Sequence, residues 1–104
     1  MIRIPTNRTP THPGEMLLEE FVRPLGVSPH ALAAAMYLPE VWIDELVEGR
    51  RNITPSLALR LAKLLGMSPD FWMNLQARWD LYHVQQEEHN ELDRIQPLQP
   101  PQLP

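Results

Sequence analysis

The chain has 104 residues, one domain's worth, and 43% of them are apolar, enough for a single core. Acids outnumber bases 13 to 9, a formal charge of −4, which argues against sequence-blind nucleic-acid binding driven by phosphate neutralisation. Cysteine is absent, so disulfides, thiolate metal sites and cysteine nucleophiles are excluded. The N-terminal residues 1–8 lack the apolar core of a signal peptide, and no apolar run approaches the ~20 residues that span a bilayer. A cytoplasmic protein with no membrane contact is expected.

Twelve prolines would ordinarily suggest disorder. Here four follow a shared template: Thr11-His12-Pro13, Ser28-Pro29, Thr54-Pro55 and Ser68-Pro69. A hydroxyl residue before proline is a helix-start signal. Its oxygen caps an orphan N–H, and proline suits the first helical position because its missing N–H has no intrahelical partner there.

Read forward from these starts, helix 1 covers about 13–23 and is expected to stop at Pro24 and Gly26. Its apolar residues are Met16, Leu17 and Phe21, with Leu25 just beyond. Helix 2 covers about 29–37, with Leu32 and Met36 flanking a run of alanines. Helix 3 begins at Pro39 and ends near residue 48, before Gly49, and carries Ile43, Leu46 and Val47 inward. Helix 4 covers about 55–65 with Ala58, Leu61, Ala62 and Leu65, and stops at Gly66. Helix 5 starts at Pro69 and reaches about residue 90 with Phe71, Trp72, Leu75, Trp79 and Tyr82. No stretch shows strand alternation, so the expected class is all-α.

The expected organisation is a flexible arm over 1–10, a folded domain over 11–92, and a Pro-rich disordered tail over 93–104.

Helices 2 and 3 have the proportions of a helix-turn-helix. The alanines of helix 2 permit close crossing, and Ile43 and Leu46 anchor helix 3. That leaves Glu40, Val41, Asp44, Glu45 and Glu48 outward, the face that such a motif presents to the major groove. Periodicity alone supports an ordinary small helical bundle equally well.

The residues themselves separate the two. The run Thr11-His12-Pro13-Gly14-Glu15-Met16-Leu17-Leu18-Glu19-Glu20-Phe21 resembles the opening of the HigA, or VapI-type, antidote family of toxin–antitoxin systems. The likeness continues through Pro24-Leu25-Gly26-Val27-Ser28 and Ala31-Leu32-Ala33. It returns at Gly49-Arg50-Arg51-Asn52-Ile53-Thr54-Pro55 and Ala58-Leu59-Arg60-Leu61-Ala62. The most specific block is Ser68-Pro69-Asp70-Phe71-Trp72-Met73-Asn74-Leu75-Gln76-Ala77 with Asp80-Leu81, and the resemblance spans about 11–82.

The resemblance implies a five-helix, lambda-repressor-like (Cro/C1-type) helix-turn-helix domain with an extended C-terminal helix. It also implies a homodimer that represses its own operon at operator DNA, neutralises a RelE-like toxin and serves plasmid maintenance. The DNA-facing set it suggests is Ser28, His30, Pro39, Glu40, Val41, Asp44, Glu45, Arg50, Arg51 and Thr54. The dimer interface is expected at Trp79, Leu81, Tyr82 and Val84, whose alternative place is the core.

The chain departs from the family pattern in the reading helix. Relatives usually carry arginine, serine or asparagine near the positions of Glu40, Val41 and Asp44, whereas here the helix is acidic, with no base before Arg50. Carboxylates accept from cytosine's amino group but repel the flanking phosphates. Pro29 replaces a polar residue, and Tyr37 stands where the turn commonly has a left-handed glycine. Arg50, Arg51 and the N-termini of helices 2 and 4 remain as phosphate contacts, with Arg60 and Lys63 as lesser candidates.

Four histidines, His12, His30, His83 and His89, do not match a His-Glu-x-x-His zinc spacing. Adjacent acids such as Glu19-Glu20 diverge on a helix and cannot form a shared acid/base site. No cofactor, metal or enzyme activity is expected. Two further readings stay open: a stand-alone regulator of this type, and a protein-interaction module that has lost DNA reading.

Overall fold

The structure, a computed structural model, describes residues 8–98. Six helices and no strands occur among those residues. The expectations for residues 1–7 and 99–104 lie outside them.

Helix α1 begins as α-helix over Pro13–Leu17, widens to a π-helical stretch over Leu18–Val22, and finishes as α-helix over Arg23–Leu25. Pro24 therefore does not stop it, contrary to the sequence expectation. An interior proline removes an N–H and crowds the carbonyl four residues back. The π expansion just before Pro24, in which the Arg23 N–H reaches the Leu18 carbonyl, opens the ladder where that crowding falls. Gly26 at φ 67° makes the real stop. Leu25, read as part of the apolar stripe, is exposed.

Helix α2 spans Pro29–Ala35, α3 Glu40–Val47, α4 Pro55–Leu65, α5 Pro69–Glu87 and α6 His89–Asp93. The capping grammar holds at the three starts where a hydroxyl residue directly precedes proline. The Ser28, Thr54 and Ser68 hydroxyls accept from Ala31 N, Leu57 N and Asp70 N at 3.0, 3.3 and 3.2 Å. At α1 the cap is His12 rather than Thr11, its Nδ1 accepting from Gly14 N at 2.9 Å. Pro39 caps α3 by backbone alone, one residue before the helix rather than inside it.

The core is continuous across α1 to α5, built on Leu17, Leu32, Ile43, Leu46, Leu57, Leu61, Trp72 and Leu75. Of the four alanines of α2, only Ala33 is buried, so the close crossing with α3 uses one of them. The tightest approach lies instead at Gly14. A Cβ there would meet the Leu46 carbonyl oxygen at 1.6 Å, so α1 rests directly on the C-terminal turn of α3. The first two turns of α5 are sunk in the core through Trp72, Leu75 and Gln76, while its last turns run exposed into α6.

Candidate nucleic-acid interface

The unit from Ser28 to Gly49 forms two crossed helices. The α2 helix closes in a Schellman arrangement: Leu38 N–H reaches the Ala33 carbonyl at 3.0 Å and Tyr37 N–H the Ala34 carbonyl at 3.1 Å. This requires a left-handed residue, and Tyr37 supplies it at φ 58°, the one non-glycine with positive φ among the described residues. Its side chain is 90% exposed and has no hydrogen bond among the described residues. Arg60 of α4 braces the turn, donating from Nη1 to the Met36 carbonyl at 2.6 Å. The sequence had offered Arg60 as a lesser phosphate contact, not as a brace for this turn.

Two apolar side chains fix the roll of α3. Ile43 and Leu46 are fully buried, which turns Glu40, Val41, Asp44 and Glu48 away from the core at i, i+1, i+4 and i+8. Val41 is 52% exposed. Glu40 and Glu48 are exposed, and Asp44 is half-buried with no side-chain partner among the described residues. The His30 Nδ1 lies 2.9 Å from Glu40 Oε1, tying the first turn of α2 to the first turn of α3.

Glu45 does not stand outward as the helical wheel suggested. Its Oε1 accepts from Arg51 Nε at 3.0 Å and Nη2 at 2.7 Å, while the same guanidinium lies over the Trp42 ring, 4.4 Å from its centroid. Arg50 pairs with Glu48 through Nε at 3.1 Å and through Nη2. The Glu48 hydrogen bond and charge raise the Arg50 pKa further above its already high value. Both arginines thus neutralise carboxylates on this face, leaving Asp44 without a side-chain partner among the described residues and Glu40 paired with His30.

Sequence reasoning missed the post that holds this loop. Gln76 of α5 is buried. Its Oε1 accepts from Ile53 N at 2.6 Å, and its Nε2 donates to Asn52 Oδ1 at 3.2 Å and Asp80 Oδ1 at 2.9 Å. The segment 50–54, carrying Arg50, Arg51 and Thr54, is thereby pinned to α5. The available signal was a glutamine within the inward stripe Trp72, Leu75, Gln76, Trp79.

On the far side, Leu81 and Val84 are 40% and 43% exposed at i, i+3 on α5, and Trp79 and Tyr82 are half-buried. Trp79 sits between His12, edge-on at 4.8 Å, and His83 at 4.2 Å. Burial pushes the His12 pKa below its ordinary value, against the opposing pull of Asp80 and Glu15. The neutral ring that results is the form whose Nδ1 can cap Gly14.

Among the described residues no His, Cys, Asp or Glu cluster could hold a metal, and no helix is long and apolar enough to cross a membrane. The arrangement is that of a helix-turn-helix protein: two short crossed helices, the second displayed, on a five-helix core with an extended last helix.

No family model matches the sequence. Curated relatives do. The chain is 40% identical over 79 residues to virulence-associated protein I of Dichelobacter nodosus, covering 76% of this chain and 73% of that one. It is 37% identical over 93 residues to antitoxin HigA-1 of Vibrio cholerae, covering 89% and 88%. The solved structure of Pseudomonas aeruginosa antitoxin HigA with the higBA promoter superposes with a TM-score of 0.82 at 34% identity, over 86% of this chain and 99% of that one. The chain belongs to the HigA antitoxin family.

Proposed function

We propose that the protein is the antitoxin of a HigBA-like toxin–antitoxin pair, a cytoplasmic homodimer that represses its own operon at operator DNA and neutralises a RelE-like toxin. The observation that carries this is the outward display of α3 on the same fold that a HigA relative brings to its promoter. It acts by binding, and performs no catalysis.

In this reading Val41 and Asp44 face the bases, with Pro39, His30 and the His30-bound Glu40 at the groove edge. Arg50, Thr54 and Ser28 lie along the phosphates, where the exposed N-terminus of α4 adds its N–H groups. Arg51 and Glu45 hold the loop in place for them. Trp79, Leu81, Tyr82 and Val84 form the dimer contact, because Leu81 and Val84 leave an apolar strip in water.

The acidic α3 favours a second reading, a protein-interaction module without DNA reading. It also supports a conditional form of the first, in which a basic toxin complements the −4 charge and strengthens operator binding. Co-purification with the protein encoded beside it, followed by gel-shifts on the upstream DNA with and without that partner, tests these together. Salt-dependent, sequence-selective shifts, stronger with the partner, are expected. Absence of any shift in both forms overturns the repressor role, and equal shifts overturn the conditional form.

A further inference from the structure

We infer that Asp44 and Val41 are specificity-determining residues, reading cytosine and thymine respectively in each operator half-site. This rests on the DNA-reading role proposed above and adds the identity of the bases.

The bases follow by elimination over the displayed face of α3. Ile43 and Leu46 are fully buried. The Trp42 ring is covered by the Arg51 guanidinium. Glu45 and Glu48 are drawn to Arg51 and Arg50 through Oε1, and Glu40 is held toward α2 by His30 through its Oε1. Val41 and Asp44 remain, three residues apart on one side of the helix.

An ionised aspartate only accepts hydrogen bonds. In the major groove guanine offers two acceptors, O6 and N7, and so is rejected. Adenine pairs one donor with an adjacent acceptor, which suits an amide rather than a carboxylate. Cytosine offers the N4 amine. Val41 carries no polar side-chain atom, and the one apolar feature of the groove edges is the thymine methyl. Three helical residues rise about 4.5 Å against about 3.4 Å per base step, so the two contacts fall within about two steps of each other.

Selection of the full chain against a random duplex library, with wild type, Asp44→Asn and Val41→Ala run in parallel, tests the assignment. Helical circular dichroism and unfolding midpoints verify that both variants fold. The expected wild-type motif contains cytosine with thymine within about two steps. Asp44→Asn exchanges that cytosine for adenine, since asparagine matches the adenine N6/N7 edge. Replacing the thymine by deoxyuridine weakens wild type about 4-fold, the worth of one buried methyl, and weakens Val41→Ala by a smaller factor because its shorter side chain leaves less of that methyl buried. Guanine at the Asp44 position, an unaltered preference in Asp44→Asn, or indifference of wild type to deoxyuridine overturns the inference while DNA reading stands. Enrichment of no sequence removes both.

Discussion

Replacing Gln76 by methionine isolates the bond that holds the interface loop. The two side chains are similar in length, so little cavity forms and the loss is mostly polar. Gln76 and Ile53 are both buried, at 4% exposure each, so the Ile53 N–H loses its acceptor with no water to replace it. An unsatisfied buried amide costs about 1–3 kcal/mol. The bonds to Asn52 and Asp80 lie in partly exposed surroundings and contribute less, because water replaces the amide there. A net loss of about 2–3 kcal/mol is expected, equivalent to a fall of roughly 10–20 °C in unfolding midpoint for a domain of this size. Urea titration of wild type and variant at one protein concentration measures it with the concentration dependence of a dimer held equal. Gln76→Glu keeps an acceptor for Ile53 but sets a second carboxylate beside Asp80. That buried, like-charged carboxylate makes its penalty at neutral pH at least as large as that of methionine, and the penalty shrinks in acid as the new carboxyl protonates. Operator affinity falls more in Gln76→Met than in an equally destabilising variant distant from the loop. A Gln76→Met protein within about 0.5 kcal/mol of wild type refutes the role of this bond.

Gly14→Ala forces α1 off the Leu46 carbonyl, and a loss of about 3 kcal/mol or failure to fold is expected in urea titrations, at or above the upper range for overpacking. Tyr37→Gly relieves a left-handed conformation at an exposed side chain, and unfolding measurements are expected to show a gain of up to about 1 kcal/mol. The pKa of His12 is lowered in the fold by burial, so between that value and the ordinary imidazole value of 6.5 the unfolded chain binds more protons. Stability from His12 is therefore complete above that window and declines as pH falls through it. His12→Asn keeps a capping side chain and flattens this decline relative to wild type in midpoints measured from pH 7.5 to 5, values taken about the imidazole range. Arg60→Ala frees the Met36 carbonyl and costs about 1–2 kcal/mol, read by the same titration, with Arg60→Lys recovering part.

Most helix starts were legible because a Ser/Thr-Pro pair acts locally: Ser28, Thr54 and Ser68 cap the next turn whatever packs beyond it. The roll of α3 was also legible, since Ile43 and Leu46 alone determine which side faces the core. Pro24 was misread because its cost depends on the π turn preceding it, which no local propensity announces. Gly14, Gln76 and Arg60 stayed hidden for a related reason. Each acts on a residue between 23 and 32 positions away, at Leu46, Ile53 and Met36, and only the tertiary fold brings those partners together. The charge balance of α3 was half legible. Its acids were plain, and Arg50 reaches Glu48 locally, but the neutralisation of Glu45 by Arg51 requires the loop to fold back over Trp42.

Titration of the purified chain with fluorescent duplex from its own upstream region, beside a scrambled duplex of equal length, bears most directly on the displayed face of α3 as a DNA reader. The upstream duplex is expected to bind more tightly by about 1,000-fold or more, with affinity falling as salt rises. Asp44→Asn is expected to erode that discrimination without abolishing binding to either duplex. Equal affinity for the two sequences, with and without the partner toxin, contradicts it.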